Sequence, residues 1–84
     1  MDISRPEQRV LHMLAQGGHI DATRAGKRIV AIEAISRDGW RFGEISLALF
    51  KKLRRRRTIA STNGGPYRIT KRGLELVRPQ LDNR

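Results

Sequence analysis

A dense group of cationic side chains is the part of this sequence best suited to chemistry with a charged partner. The interval between Glu44 and Glu75 contains no acidic residue, yet it holds nine of the 18 basic residues. A field of one sign on so small a chain attracts polyanions such as nucleic acids, or acidic protein surfaces. The nine candidate binding residues are Lys51, Lys52, Arg54, Arg55, Arg56, Arg57, Arg68, Lys71 and Arg72.

The four consecutive arginines at 54–57 offer planar guanidinium groups, which can bind phosphates or carboxylates through two parallel hydrogen bonds. On a helix, successive side chains differ in direction by about 100°, so these four cannot all meet one flat surface. The alternative is a solvated basic face without a partner, but clustered charges argue against it. Trp40 and Tyr67 are expected to pack in the core, with partner anchoring or base stacking as the minority alternatives.

No constellation of residues that would support catalysis or metal binding is visible. His12 and His19 stand on either side of a double glycine, and the eight carboxylates show no close pair that would raise one pKa for acid–base catalysis. The chain has no cysteine, which excludes disulfides and thiolate metal sites. The sequence therefore predicts a binding protein that is not an enzyme and needs neither a cofactor nor a metal.

The length and the charge of the chain limit the classes of protein to which it can belong. Eighty-four residues make one small domain, in which only about 60–65% of the unfolded surface is buried. A net charge of +10 is the property that most needs an explanation. No apolar run approaches the roughly 18 residues needed to span a bilayer, and the N-terminal residues lack a signal-peptide pattern. These features predict a cytoplasmic protein with no membrane partner.

The first half of the chain predicts a helix followed by a hairpin. Ser4 and Glu7 have the spacing of a capping box, so a helix is expected over about 4–16, with the glycines at 17 and 18 ending it. Branched and small residues then predict strands at about 19–24 and 28–36, joined by a turn at 25–27. Ser46 is expected to cap a second, basic helix over 46–57.

The second half predicts a further hairpin and a last helix. Strands at 58–61 and 66–69 flank a turn-rich loop, and Thr70 is expected to cap a helix that Pro79 ends or kinks, leaving residues 78–84 as a frayed tail. The order helix–hairpin–helix–hairpin–helix predicts a single α+β, winged-helix-like domain over residues 1–84. A hairpin occupies the place of the second helix of a standard winged helix, so the expected fold is a variant.

Short segments along nearly the whole chain resemble the YjhX-type toxin family of small bacterial proteins. The matching segments are residues 4–5, 7–9, 11–12, 17–18, 36–37, 39, 47–48, 50–53, 63–64, 66–69 and 80–84. The resemblance implies a toxin of a toxin–antitoxin pair that inhibits DNA topoisomerase I by binding the enzyme and impairing its engagement with DNA. The implied partners are DNA topoisomerase I and a cognate antitoxin, and no family motif assigns these roles to particular residues.

Three functions remain open from the sequence. The resemblance favours a protein-binding inhibitor, whereas the basic helix followed by a hairpin favours a winged-helix DNA-binding regulator with that helix in the major groove. The same charge would also serve an RNA-binding or ribosome-associated protein. The sequence leaves the oligomeric state open, because each small hairpin has an unpaired edge.

Overall fold

A computed structural model of the chain describes the backbone of residues 3–82 and the side chains of residues 3–77. Within these bounds, helices and strands form a small α+β domain, which confirms the predicted class. In chain order the elements are α1 (Arg5–Ala15), β1 (His19–Ala25), β2 (Arg28–Ile35), β3 (Arg41–Phe42), α2 (Leu47–Arg55), β4 (Ile59–Ser61), β5 (Tyr67–Ile69) and α3 (Lys71–Asp82).

Each helix begins at the capping residue that the sequence predicts. The Ser4 and Ser46 hydroxyl oxygens accept hydrogen bonds from the third helical residue, at 3.3 and 3.1 Å, and the Thr70 hydroxyl oxygen accepts from the Gly73 N–H at 3.1 Å. At the start of α1, the Ser4 N–H also donates to Glu7 Oε1 at 2.9 Å, which completes the capping box. Local side-chain chemistry therefore sets where the helices start.

The strands form one antiparallel sheet in the order β3-β2-β1-β5-β4. The two predicted hairpins join in this sheet where Ile20 of β1 pairs with Tyr67 of β5. Strand β3 is absent from the predicted order of elements, which is corrected here. It forms because a turn with Gly39 at φ +91° reverses the chain and brings Phe42 opposite Ala34 at the end of β2.

One face of the sheet carries the core and the other faces solvent. Ile20, Ala34 and Tyr67 are cross-strand neighbours on the covered face, where they join apolar side chains of all three helices in a single cluster. The covering helices contact β2, β4 and β5. None of these helices, over the part of the chain described, is long and apolar enough to cross a membrane.

The C-terminal helix extends further than the sequence predicts. Pro79 was expected to end or kink the helix, but α3 continues to Asp82. A proline inside a helix removes one backbone hydrogen bond, and the helix persists here on both sides of that gap. The fraying expected for residues 78–84 stays a prediction, and residues 83 and 84 lie outside the described part.

Replacing Gly73 with Ala is expected to lower the free energy of unfolding by about 1–2 kcal/mol. The same change in an exposed helix raises it by about 1 kcal/mol. Gly73 is buried, however, and a Cβ there would lie 2.5 Å from the Thr58 carbonyl oxygen and 2.7 Å from Ile69 Cγ1. Relieving such overpacking typically costs about 1–3 kcal/mol.

Urea denaturation measures the Gly73→Ala effect. Gly43→Ala is the control, because a Cβ at residue 43 meets no atom within 4 Å. That control is expected to stay within about 0.5 kcal/mol of the wild type. A Gly73→Ala protein as stable as the wild type would contradict the close approach of α3 to residue 58.

Candidate basic docking surface

Helix α2 presents three of the predicted cations on one side. Lys51, Arg54 and Arg55 lie at i, i+3 and i+4, and together they line a shallow depression on the surface. All three side chains are exposed. These residues, with the exposed cations directly after α2 and in the first turn of α3, define the basic surface. Its members are Lys51, Arg54, Arg55, Arg57, Lys71 and Arg72.

Two of the predicted binding residues are turned toward α1 instead. Lys52 and Arg56 lie four residues apart, about 100° around the helix from Lys51 and Arg55, and both approach the carboxylate of Glu7. Lys52 Nζ is 3.4 Å from Glu7 Oε1, and Arg56 Nε is 3.6 Å from Glu7 Oε2. Lys52 and Arg56 therefore stabilise the contact between α1 and α2 through an ion pair with a buried group.

Glu7 is the one fully buried carboxylate of the described residues, with its side chain 1% exposed. Burial by itself raises the pKa of Glu7, but hydrogen bonds with the backbone and side chain of Ser4 lower it. The positive charges of Arg56 and Lys52 lower it further, and the net direction is down. Glu7 is consequently ionised in the fold at neutral pH and holds two cations of α2 in place.

The register of the hairpin formed by β4 and β5 separates Arg68 from the basic surface. Tyr67 lies on the covered face of the sheet, so the next residue, Arg68, lies on the open face, opposite Ala60 of β4. The prediction that Tyr67 packs in the core is confirmed: its ring meets Phe50 edge-to-face, with 4.9 Å between centroids. Because side chains alternate along β5, Arg68 lies on the face of the sheet opposite the helices that carry the basic surface.

Arginines hold Tyr67 from two directions. The Arg54 guanidinium lies 5.9 Å from the centroid of the Tyr67 ring, a cation–π distance, and Arg24 Nη2 donates to the Tyr67 hydroxyl at 3.2 Å. The ring contact restricts the side chain of Arg54 at one border of the basic surface. The contact between Arg24 and Tyr67 was not predicted from the sequence, because no pattern near residue 24 indicates that it lies close to residue 67.

The end of α2 is fastened to the start of α3 by hydrogen bonds to carbonyl oxygens. The Thr70 hydroxyl donates to the Arg57 carbonyl at 2.8 Å, and Arg72 Nε donates to the Arg56 carbonyl at 2.9 Å. The buried hydroxyl of Thr58 donates to the Leu53 carbonyl at 2.8 Å. These bonds satisfy acceptors that the end of a helix leaves open, and they bring the cations of α3 beside those of α2.

Arg57 has a backbone conformation that usually belongs to glycine. Its φ is +61°, and the N–H groups of Arg57 and Thr58 donate to the carbonyls of Arg54 and Leu53, respectively. This is the Schellman pattern of a helix end, in which the left-handed position is most often occupied by Gly. An ordinary side chain there costs about 1–2 kcal/mol.

Replacing Arg57 with Gly is expected to raise the free energy of unfolding by about 1 kcal/mol, because glycine adopts the left-handed conformation without strain. Thermal or urea denaturation measures this gain. Arg57→Gln removes the charge but keeps the Cβ, so the difference between the two variants isolates the backbone contribution. Equal stability of the Gly and Gln variants would show that residue 57 is not strained.

The charges of the basic surface are not neutralised within the described part of the chain. No carboxylate among residues 3–77 lies within salt-bridge distance of its six members, whereas Glu7, Glu33 and Glu44 each pair with a cation elsewhere. The same residues contain no group of three His, Asp or Glu side chains that could hold a metal ion. Such a surface attracts anions.

The fold and this surface together define a small, strongly basic α+β domain. The chain matches the family described as "Putative toxin of bacterial toxin-antitoxin pair" over residues 1–84 and therefore belongs to that family. It is 64% identical to a UPF0386 protein of Hyphomonas neptunium, over 99% of each chain. It is 60% identical over the full length of both chains to UPF0386 proteins of Sinorhizobium fredii and Rhizobium meliloti. No solved structure gives a significant match.

Proposed function

We propose that this protein is the toxin of a toxin–antitoxin pair and inhibits DNA topoisomerase I by protein–protein contact. In this proposal the basic surface binds an acidic surface of the enzyme, or of its complex with DNA, and competes with the DNA substrate. The observation that carries the proposal is the set of exposed cations with no carboxylate partner among the described residues. Family membership supports the toxin role and implies a cognate antitoxin as a second partner.

The local structure favours docking over a role in solubility. Self-repulsion among adjacent cations opposes folding, and interspersed charges would keep the protein soluble at a lower energetic cost. The hydrogen bonds between α2 and α3 also fix the backbone under the basic surface, which reduces the conformational entropy lost on binding. We propose accordingly that the protein acts in the cytoplasm by binding, without catalysis.

The second candidate is a winged-helix protein that binds duplex DNA. Helix α2 runs directly into β4, and β4 returns through a tight turn at Asn63 and Gly64, both with positive φ, into β5. A helix followed by such a hairpin suits a duplex, with α2 in the major groove and the hairpin on the phosphate backbone. Arg68 would then contact phosphate from the hairpin, although it lies outside the basic surface.

Inhibition of plasmid relaxation distinguishes the two candidates. The assay measures the rate at which purified topoisomerase I relaxes supercoiled plasmid as increasing amounts of this protein are added. It is repeated at several concentrations of enzyme and of plasmid. If the protein binds the enzyme tightly, the amount needed for half-inhibition follows the enzyme concentration, and the two proteins form a complex in the absence of DNA. If it coats DNA, the amount follows the plasmid concentration. An unaffected relaxation rate, with no complex between the two proteins, would refute the inhibitor proposal.

Direct DNA binding tests the second candidate independently. Fluorescence anisotropy with a labelled duplex, measured across a salt series, is expected to give a slope of log K against log salt of about −4 or steeper if several phosphates are contacted. Arg68→Ala then reports on the hairpin, because losing one phosphate contact flattens that slope by about one unit. A flat salt dependence, or a slope unchanged by Arg68→Ala, would count against the winged-helix geometry.

A further inference from the structure

The shallow depression on helix α2 is lined by cations alone among the described residues. Lys51, Arg54 and Arg55 surround it, and its volume is about 290 Å³. None of these three side chains forms a hydrogen bond or an ion pair with another of the described residues 3–77. Three like charges around one depression repel one another, and an anion among them relieves that repulsion. The depression is therefore suited to a small, negatively charged group.

Tyr67 is a fixed support for one of these cations, Arg54. Of Trp40 and Tyr67, the two residues expected in the core, Trp40 is 75% exposed, so that expectation is wrong, whereas Tyr67 is 5% exposed. The Tyr67 ring meets Phe50 edge-to-face, and the Tyr67 hydroxyl accepts a hydrogen bond from Arg24 at 3.2 Å. A ring held both at its edge and at its hydroxyl has little freedom to turn away from Arg54, which lies over it.

The contact with this ring restricts Arg54 without using its hydrogen-bond donors. The guanidinium carbon lies 5.9 Å from the centroid of the Tyr67 ring, and a cation–π contact involves the charge of the guanidinium and none of its N–H groups. All the N–H donors of Arg54 thus remain available to a ligand. Because the side chain is already restricted, it loses less conformational entropy on binding than a freely moving arginine does.

The carbonyl oxygens at the end of α2 do little to oppose an anion. The last carbonyls of a helix carry a partial negative charge, which repels anions. Here the Leu53 carbonyl accepts hydrogen bonds from the N–H and the hydroxyl of Thr58, at 3.1 and 2.8 Å, and the Arg54 carbonyl accepts from the Arg57 N–H at 3.0 Å. These hydrogen bonds offset the repulsion, so the positive charges of the side chains dominate at the depression.

We propose that this depression binds a phosphate group, with Arg54 as its principal ligand and Tyr67 as the residue that positions Arg54. The oxygens of a phosphate group point in different directions, so that cations on several sides can each reach one. The two oxygens of a carboxylate lie in one plane and suit a single guanidinium fork. The inference rests on the proposed role of the basic surface in binding an anion, but it holds whether or not topoisomerase I is the target.

NMR of the arginine side chains measures this binding in the absence of topoisomerase I. The Nε–H signals of Arg54 and Arg55 are followed at neutral pH while sodium phosphate is added to the full chain. Exposed charge pairs are individually weak, so both signals are expected to shift together with a Kd on the order of 1 mM. Sodium malonate at equal ionic strength is the matched probe, because it carries a similar charge on two carboxylates.

The comparison of the two anions decides whether the site selects phosphate. Malonate is expected to bind at least about 5-fold more weakly than phosphate, because its planar carboxylates cannot reach all three cations. Equal affinities for the two anions would overturn the proposal. So would the absence of a saturating shift up to about 50 mM phosphate, well above the expected Kd. Neither result bears on inhibition of the enzyme, so the two proposals can fail separately.

Two oligonucleotides distinguish the sources from which the phosphate could come. They have the same single-stranded sequence, and one ends in a terminal phosphate whereas the other ends in a hydroxyl. If the site takes a terminal phosphate, the phosphorylated strand binds more tightly and alone moves the Arg54 signal. If it takes a phosphodiester of the backbone, both strands bind alike and both move that signal. Binding of either strand that leaves the Arg54 and Arg55 signals unmoved would contradict the assigned site.

Substitutions that preserve charge separate Arg54 from its neighbour. Arg54→Lys is expected to weaken phosphate binding by about 10-fold, because lysine lacks both the planar fork and the restricted position. Arg55→Lys loses a fork that no ring holds, and a loss of about 3-fold or less is expected. Arg28→Lys, at an exposed position on β2, is the control and is expected to bind like the wild type. Equal losses at residues 54 and 55 would contradict the leading role of Arg54.

Two substitutions of Tyr67 test its positioning role. Tyr67→Phe keeps the ring and loses only the hydrogen bond from Arg24, so phosphate affinity is expected to stay within about 2-fold of the wild type. Tyr67→Leu removes the ring and is expected to weaken binding as much as Arg54→Lys does. Backbone amide signals show whether each variant is folded, and Tyr67→Met replaces Tyr67→Leu if the latter does not fold. Full phosphate affinity in a folded variant without the ring would refute the positioning role.

Discussion

Reversing the charge of Lys51 and Arg55 together is expected to weaken binding to the physiological partner by at least about 100-fold. Both side chains are exposed on the basic surface, and neither forms a hydrogen bond or an ion pair with another of the described residues 3–77. Losing two favourable contacts and adding two repulsive ones weakens the binding free energy by about 2.8 kcal/mol, which corresponds to a 100-fold loss of affinity. The half-inhibition point of plasmid relaxation and the anisotropy titration with duplex both report this change.

The matched control reverses Lys27, in the turn between β1 and β2, and Arg28, the first residue of β2. These two residues are also exposed and adjacent to each other in the fold. Both double variants lower the net charge from +10 to +6, since each reversal removes two units. The control is expected to bind within about 3-fold of the wild type, because the remaining effect is long-range and screened by salt. Equal losses in both variants would mean that total charge, and not the basic surface, governs binding.

Replacing Glu7 with Gln is expected to lower the free energy of unfolding by about 2 kcal/mol. The amide keeps the shape of the side chain and an oxygen that can accept from the Ser4 N–H, but the charge that pairs with Lys52 and Arg56 is lost. Removing one partner of a buried ion pair costs about 3–5 kcal/mol. The expected value is smaller because Lys52 is 45% and Arg56 26% exposed, so water stabilises both cations.

Urea denaturation at neutral pH tests the Glu7 prediction, with Glu75→Gln as the control. Glu75 is an exposed carboxylate on α3, and its substitution is expected to change stability by less than about 0.5 kcal/mol. Equal effects of the two substitutions would contradict a structural role for the buried ion pair.

The lowered pKa of Glu7 also fixes the sign of the pH dependence. A carboxyl group with a lower pKa in the folded state binds its proton more readily in the unfolded state. Its stabilising contribution is complete above the ordinary glutamate value of about 4.3 and is lost as the pH falls through the lowered folded value. As the pH falls, the free energy of unfolding should therefore decrease more steeply for the wild type than for Glu7→Gln. Parallel acid titrations of the two proteins would contradict this assignment.

The features that the sequence predicts correctly depend on neighbouring residues. Ser4, Ser46 and Thr70 cap their helices as expected, because a cap needs only a hydroxyl group and the amides that follow it. The strands of both hairpins begin and end within a residue or two of their predicted bounds. Strand β3 escapes prediction because its two residues are too few to show an alternating pattern.

Features that depend on distant contacts could not be predicted. The sequence groups nine cations, but which of them face solvent follows from the position of Glu7 on α1, and no local pattern shows that Lys52 and Arg56 turn toward it. The side of the sheet that Arg68 occupies follows from the register of β5 against its neighbours. Trp40 is exposed because the turn before β3 places it beyond the sheet, and composition alone favours burial for such a residue.

The pairing that joins the two hairpins has a consequence for the order of folding. Ile20 and Tyr67 stand 47 positions apart in the chain, and they are the register pair that links β1 to β5 among the described strands. Each hairpin can form within microseconds, but this contact must first close a long loop at an entropic cost. The two halves of the sheet would therefore form early and separately, and their joining would set the folding rate.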